Sequence, residues 1–226
     1  MWRALAVKEL RENIGLAAVA LLAYLAVVAS VTRIAPDLAG LVMFGSYLIY
    51  GRESEVPFVG TGFLFRFVQV AVLFSLALGF RQSLAEAVGG RFQWLGHRPL
   101  RRWRIVAAKL AVGAGLYLVV SAIPILLLAA WAATPGTHAS PFFWSMTGPA
   151  WWTWFTMLVL YLGAFLSGVR PGRWYGSRLW PVAAAGLAVV LLNVIPWWPV
   201  QAVLLVVVAG LFTGTIGQVV ETRDYS

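Results

Sequence analysis

The chain has 226 residues, 61% hydrophobic and 11% charged, with a net charge of +9 and a mean hydropathy of +0.83. A soluble domain carries about 25% charged residues, so the composition excludes a water-solvated globule and implies a bilayer. With no cysteine, disulfides, thiolate metal sites and cysteine nucleophiles are excluded. The basic excess points to membrane-side loops and anionic lipid, not to nucleic acid, for which no recognisable module is present.

The first twelve residues, MWRALAVKELRE, read as an amphipathic helix at the membrane interface. Trp2, Leu5, Ala6 and Leu10 fall on one face. Arg3, Lys8, Glu9, Arg11 and Glu12 supply the charge, with Lys8 and Glu12 at i,i+4 spacing. A charged leader that only sets topology is the equal alternative.

Asn13 to Thr32 is charge-free and, at about 1.5 Å per residue, spans the hydrocarbon. "VAS" at 28–30 resembles a signal-peptidase site. Glu9 and Glu12 in the leader and the length of the apolar run argue against cleavage. Residues 38–51, LAGLVMFGSYLIYG, are apolar but too short for a span, so a re-entrant or interfacial segment is expected.

The second span is expected over Thr61 to Phe80, with Arg66 near one end and able to snorkel to the interface. The third runs from Ile105 or Leu110 to Ala133, with Pro124 inside it, and the fourth from Ala150 to Val169. Leu179 to Val220 holds no charge. NVIPWWPVQ divides it into two spans, Trp180 to Val194 and Val200 to Val220.

The expected fold is thus an all-α polytopic membrane protein, a single domain over 1–226 with six transmembrane helices and both termini cytoplasmic. Fourteen of the seventeen cations then fall on the inner face, and only Arg33, Arg52 and Arg66 outside, which is the positive-inside pattern. Trp144, Trp151, Trp152, Trp154, Trp197 and Trp198 form the outer aromatic belt. In the last span Gly210, Gly214 and Gly217 offer a small-residue packing face, read as packing within the chain in preference to dimerisation.

The chemistry that the spans lack narrows the function. All eight acids (Glu9, Glu12, Asp37, Glu53, Glu55, Glu86, Glu221, Asp224) read as lying in leaders, loops or the tail, and His97 and His138 in loops. No span offers a proton or sodium site of the kind a coupled carrier uses. No HExxH, paired acids or histidine beside a buried serine suggests a hydrolase; His138 and Ser140 share a loop without an orienting acid. The two lysines, Lys8 and Lys109, follow Val7 and Ala108, so the Gly-Lys of a Walker A loop is absent. No catalytic, cofactor or metal residue is assigned. The few polar groups in the spans, such as Gln69, Ser75, Ser121 and Asn193, favour a lipidic or amphipathic cargo.

The segment RQSLAEAVGGRFQWLGHRPLRRWRIVAAKL interrupts this greasy chain with seven cations from Arg81 to Lys109 and one acid, Glu86. Gly89-Gly90 breaks one helix, Gly96 and Pro99 end a short turn, and a new helix starts near Leu100. The result is helix, short transverse helix, helix, with the insert at 81–104.

The pattern Glu86, Gly90-Arg91, Trp94-Leu95, Arg98-Pro99-Leu100, Arg102, Ile105 and Lys109 resembles the segment between spans two and three of ABC-2-type ABC transporter permeases, and Phe92 and Arg101 are counted with it as coupling candidates. Arg91 and Arg101 stand where those permeases usually have Thr and Ser. KELREN at 8–13 is similar to their amphipathic start. The resemblance implies that the short helix is a coupling helix docking on an ATP-binding cassette subunit. ATP and magnesium would then sit on that partner, and a second permease copy or related permease would complete the membrane part. A membrane scaffold that holds a partner or anionic lipid through the same basic loop is the competing reading.

Overall fold

The structure is a computed structural model describing residues 2–34, 57–58, 62–88, 102–138, 140–170, 172–173 and 176–222. The expected re-entrant segment at 38–51 lies outside the described residues. Among these residues six α-helices follow in order: α1 (Trp2–Val31), α2 (Gly62–Val88), α3 (Arg102–Ala133), α4 (Gly148–Val169), α5 (Trp180–Val194) and α6 (Trp198–Thr222). A 3-10 turn at Trp144–Thr147 leads into α4. No strand occurs among the described residues. In a lipid-solvated chain this is the physical expectation, since an open strand would leave its backbone groups unpaired.

Among the described residues five helices are long and apolar enough to cross a membrane, and α5, at 15 residues, is shorter. Helices α4, α5 and α6 each carry proline at their second position: Pro149, Pro181 and Pro199. There its missing N–H is one of the orphan donors anyway and its fixed φ suits the first turn. Ile195, in extended backbone, ends α5. The Gln201 side chain donates to its carbonyl, closing the expected turn. Pro124 lies inside α3 as expected.

The expected break between an interfacial helix and the first span is absent. Residues 2–31 form one continuous helix whose buried positions include Glu9, Asn13, Ala17, Ala20, Tyr24, Val27 and Ser30. These steps of three and four mark one face, so the phase set by the span extends back into the leader. It turns Glu9 inward and leaves Leu10 exposed. This replaces the expected apolar face of Trp2, Leu5, Ala6 and Leu10, in which Leu5 and Ala6 are half-buried.

The chain divides into two compact units. One comprises Ala17–Leu73 and Leu118–Phe155. A run of rings crosses it: Tyr24 to Phe67 at 5.3 Å, Phe67 to Phe63 at 5.7 Å, Phe63 to Phe58 at 5.3 Å and Phe58 to Phe142 at 6.3 Å. Such contacts add about 0.5–1.5 kcal/mol per pair beyond burial. Arg66 is buried here, its Nη1 donating to Ser30 Oγ at 2.9 Å. The expected snorkelling is therefore corrected: a hydroxyl on α1 gives the guanidinium a partner inside the unit.

The other unit comprises Met1–Leu16, Phe74–Tyr117 and Thr156–Ser226. Its helices approach closely at glycine. A Cβ on Gly79 would sit 2.6 Å from the Tyr161 carbonyl oxygen and 2.7 Å from Ala164 Cβ. Gly163 is similarly closed by Ala185 and Pro181 of α5. Arg178 donates to the carbonyls of Ser167 (3.1 Å) and Gly168 (2.9 Å) at the end of α4, where the helix dipole favours a cation. The Gly210/Gly214/Gly217 stripe behaves as expected only at its end. Gly217 faces the Trp103 ring of α3, whereas a Cβ on Gly210 or Gly214 would meet nothing within 4 Å among the described residues.

These surroundings give a matched pair of tests. Gly79→Ala should lower stability by about 1–3 kcal/mol, since backbone must move to admit the methyl. Gly210→Ala should be neutral or stabilising by up to about 1 kcal/mol, because only helix propensity changes. Thermal unfolding of both variants in detergent micelles checks the contrast.

Candidate functional site

Lys109 lies two turns into α3, within the apolar run IVAAKLAVG. An ammonium there must find an anion or pay the full desolvation penalty. It finds Glu9. Lys109 Nζ is 2.6 Å from Glu9 Oε1, and each side chain is only 1% exposed. Three more polar groups extend this contact. Asn13 Nδ2 donates to the Glu9 carbonyl at 2.8 Å. Gln82 Nε2 donates to the Lys109 carbonyl at 3.3 Å. Tyr161 O–H donates to Gln82 Oε1 at 2.7 Å.

Four helices thus meet through four side chains, with Asn13 bonding within α1. α1 supplies Glu9 and Asn13, α2 Gln82, α3 Lys109 and α4 Tyr161. Gly113 on α3 makes room, for a Cβ there would collide with the Tyr161 hydroxyl and the Gln82 amide. A second tie lies nearby in sequence: Arg81 Nη2 donates to the Glu12 carbonyl of α1 at 2.6 Å. Glu9 Oε2 and Asn13 Oδ1 are buried with no hydrogen-bond partner among the described residues. The Glu9 carboxylate therefore depends on Lys109.

Magnitudes separate this pair from its neighbour. The expected Lys8–Glu12 pair is present at 3.7 Å but exposed, and such pairs contribute at most about 1 kcal/mol. Removing one partner of a buried pair costs about 3–5 kcal/mol, because the other charge is stranded.

The structure alters two sequence expectations here. Glu9 is not a solvated leader acid: it faces inward on the same stripe as Tyr24. Lys109 is not an interfacial cation: it is enclosed. Sequence reasoning missed Asn13, Gln82 and Tyr161 as partners. The available signals were a lone lysine inside an apolar run and an acid in phase with the buried stripe of the first span.

The remaining coupling candidates Gly90, Arg91, Phe92, Trp94, Leu95, Arg98, Pro99, Leu100 and Arg101 lie outside the described residues. Glu86 is in the last turn of α2 and Arg102 opens α3. The polar cluster therefore draws on both ends of the basic segment: Gln82 follows its first cation, Arg81, and Lys109 is its last. Among the described residues no group of three or more His, Asp or Glu could hold a metal ion.

No family model, curated protein or solved structure matches the chain.

Lys109→Met alone should cost about 3–5 kcal/mol by leaving the Glu9 carboxylate stranded. The double variant Glu9→Leu/Lys109→Met should recover most of that loss, as apolar replacements of buried pairs commonly do. Denaturation of the two variants in micelles distinguishes this coupling from simple loss of packing, which would make the double variant worse than the single.

Proposed function

We propose that this chain is the membrane-spanning permease subunit of an ATP-driven ABC-2-type transporter, an exporter in a prokaryotic plasma membrane. The observation that carries the reading is the Glu9–Lys109 cluster at the root of the basic segment. The thirteen residues 89–101 join α2 to α3. Behind them, hydrogen bonds and a buried ion pair fasten these two helices to α1 and α4. A displacement applied to a short helix in that segment would reach four helices together and would not dissipate in one.

Six spans with both termini on the cytoplasmic side complete the proposal. The α5 helix, at about 1.5 Å per residue, is about 22 Å long, short of a hydrocarbon core of about 30 Å. Local thinning of the bilayer accommodates such a mismatch, and Trp180, Trp197 and Trp198 at its two ends are exposed, as interfacial anchors are. The chain brings no Walker A loop, so ATP and magnesium belong to a separate ATP-binding cassette subunit. A second permease copy would complete the pathway. The sparse polar groups of the spans fit a lipidic or amphipathic cargo.

The absence of cysteine permits a direct test. Single cysteines at Phe92, Leu95 and Leu100, crosslinked in native membranes, should capture a nucleotide-binding protein with a yield that ATP changes. Efficient labelling of the folded chain with no such capture would reject the permease reading in favour of a non-transporting scaffold. A cysteine at Ser226 should react with an impermeant maleimide only from the cytoplasmic side. Reaction from the outside would show that α5 does not cross.

A further inference from the structure

A groove of about 660 Å³ opens along the leader of α1, lined among the described residues by Arg3, Ala4, Val7, Lys8, Arg11 and Glu12. The helical period puts these residues opposite the buried stripe of Glu9, Asn13 and Ala17. The groove is accessible: Arg3 and Arg11 are exposed, and the Lys8 side chain is 42% exposed. Three cations and one acid face it. Lys8 pairs with Glu12 at 3.7 Å. Arg3 and Arg11 have no ion-pair partner among the described residues. A fourth cation adjoins them. Arg81 of α2 is exposed, and its Nη2 donates to the Glu12 carbonyl at 2.6 Å. That bond commits one guanidinium N–H and leaves the others for a further acceptor.

The continuity of α1 sets the height of these charges. Its charge-free run begins at Asn13. At about 1.5 Å per residue, Arg11 and Lys8 of an upright helix lie about 3 and about 8 Å outside the hydrocarbon, and Arg3 about 15 Å outside it. The headgroup layer on each side is about 5–7 Å thick. Arg11 and Lys8 therefore stand at its level, and Arg3 stands beyond it. On the hydrocarbon side of Arg11 the same face turns apolar, with Ile14 exposed at 57%. The order along the helix is exposed charge, then exposed hydrocarbon.

We propose that the Lys8–Arg11 end of this groove binds a resident anionic phospholipid, its phosphate held by Arg11 and Lys8 with Arg81 alongside, and its acyl chain lying on Ile14. Charge complementarity selects this occupant. Glu12 offsets one positive charge, so the excess rests on Arg11 and Arg81. A zwitterionic lipid would bring a head cation of its own against that excess, whereas an anionic lipid brings none. The bilayer supplies phosphate at the level of these side chains, and Arg holds phosphate through several N–H donors at once. The site is independent of the transport reading, and its test involves no ATP-binding partner.

The chain has no cysteine, so Ile14→Cys places a single fluorophore where the acyl chain is expected. The whole labelled chain is reconstituted in mixed bilayers of phosphatidylcholine and phosphatidylglycerol, with one or the other lipid brominated high in its acyl chains. Contact quenching then gives the relative occupancy of the two lipids beside position 14. Phosphatidylglycerol should be preferred by about fivefold or more at low salt. Arg11→Gln should lower that preference by about fivefold, the effect of one basic residue at an anionic surface. Arg3→Gln removes an equal charge from beyond the headgroup layer and should lower it by less than about twofold. Equal quenching by the two lipids at low salt would overturn the proposal and leave these cations to an acidic protein surface. Equal losses in Arg3→Gln and Arg11→Gln would also overturn it, since diffuse net charge in place of a site would then attract the lipid. Should Arg11→Gln fail to fold, the labelled chain with Arg11 intact supplies the second test. Its preference should fall at an ionic strength of about 1 M, where the Debye length is about 3 Å, and a preference unchanged by salt would reject the ionic contact.

Discussion

An ammonium carried inside an apolar helix must meet a negative charge, and the arrangement of one whole unit follows from how Lys109 meets this requirement. The partner comes from 100 residues earlier in the sequence, in the first turns of α1. Bringing Glu9 to Lys109 sets the rotation of α1, draws Asn13 inward and places the α1 leader against the start of α3. Gln82 and Tyr161 then occupy the polar positions that remain. Each of these contacts would be minor in water. Away from water, each is expensive to leave unmade.

Positive charges serve a second purpose in this molecule. Counted along the sequence, they read as markers of the side on which a loop lies. In the structure several act as fasteners. Lys109 holds Glu9, Arg81 holds a carbonyl of α1, Arg178 caps α4, and Arg66 reaches the Ser30 hydroxyl. Three of these, Arg81, Lys109 and Arg178, come from the set of fourteen assigned to the inner face. Guanidinium and ammonium groups on long stems reach carbonyl oxygens at helix ends that apolar neighbours cannot satisfy.

The helices were largely legible from sequence because span length, proline and charge act locally. The α5–α6 division at NVIPWWPVQ and the end of α4 at Val169 follow from uncharged runs and their breakers. The continuity of α1 was not legible in the same way. Residues 1–12 have their own plausible apolar face, and nothing within twelve residues shows that the longer span overrides it. Only the register of Ala17, Ala20 and Tyr24, extended backwards, turns Glu9 inward. The partners Gln82 and Tyr161 were hidden for a related reason: one sits in the basic flank and the other in an aromatic-rich span, and their meeting depends on two glycines, Gly79 and Gly113, that permit close approach. The Gly210 and Gly214 pair shows the converse, a familiar spacing with no neighbour among the described residues.

The Glu9–Lys109 contact joins positions 100 residues apart, and that distance has a consequence in time. Polypeptide emerges from the ribosome at about 5–20 residues per second, so about 5–20 s pass between synthesis of the carboxylate and arrival of its ammonium. Throughout that interval Glu9 is without the ammonium that it meets in the folded chain, and α1 cannot complete that contact. The nascent chain must keep its first helix unsettled until α3 has been made. Completion of that ion pair then marks the moment at which this end of the protein becomes committed to its fold.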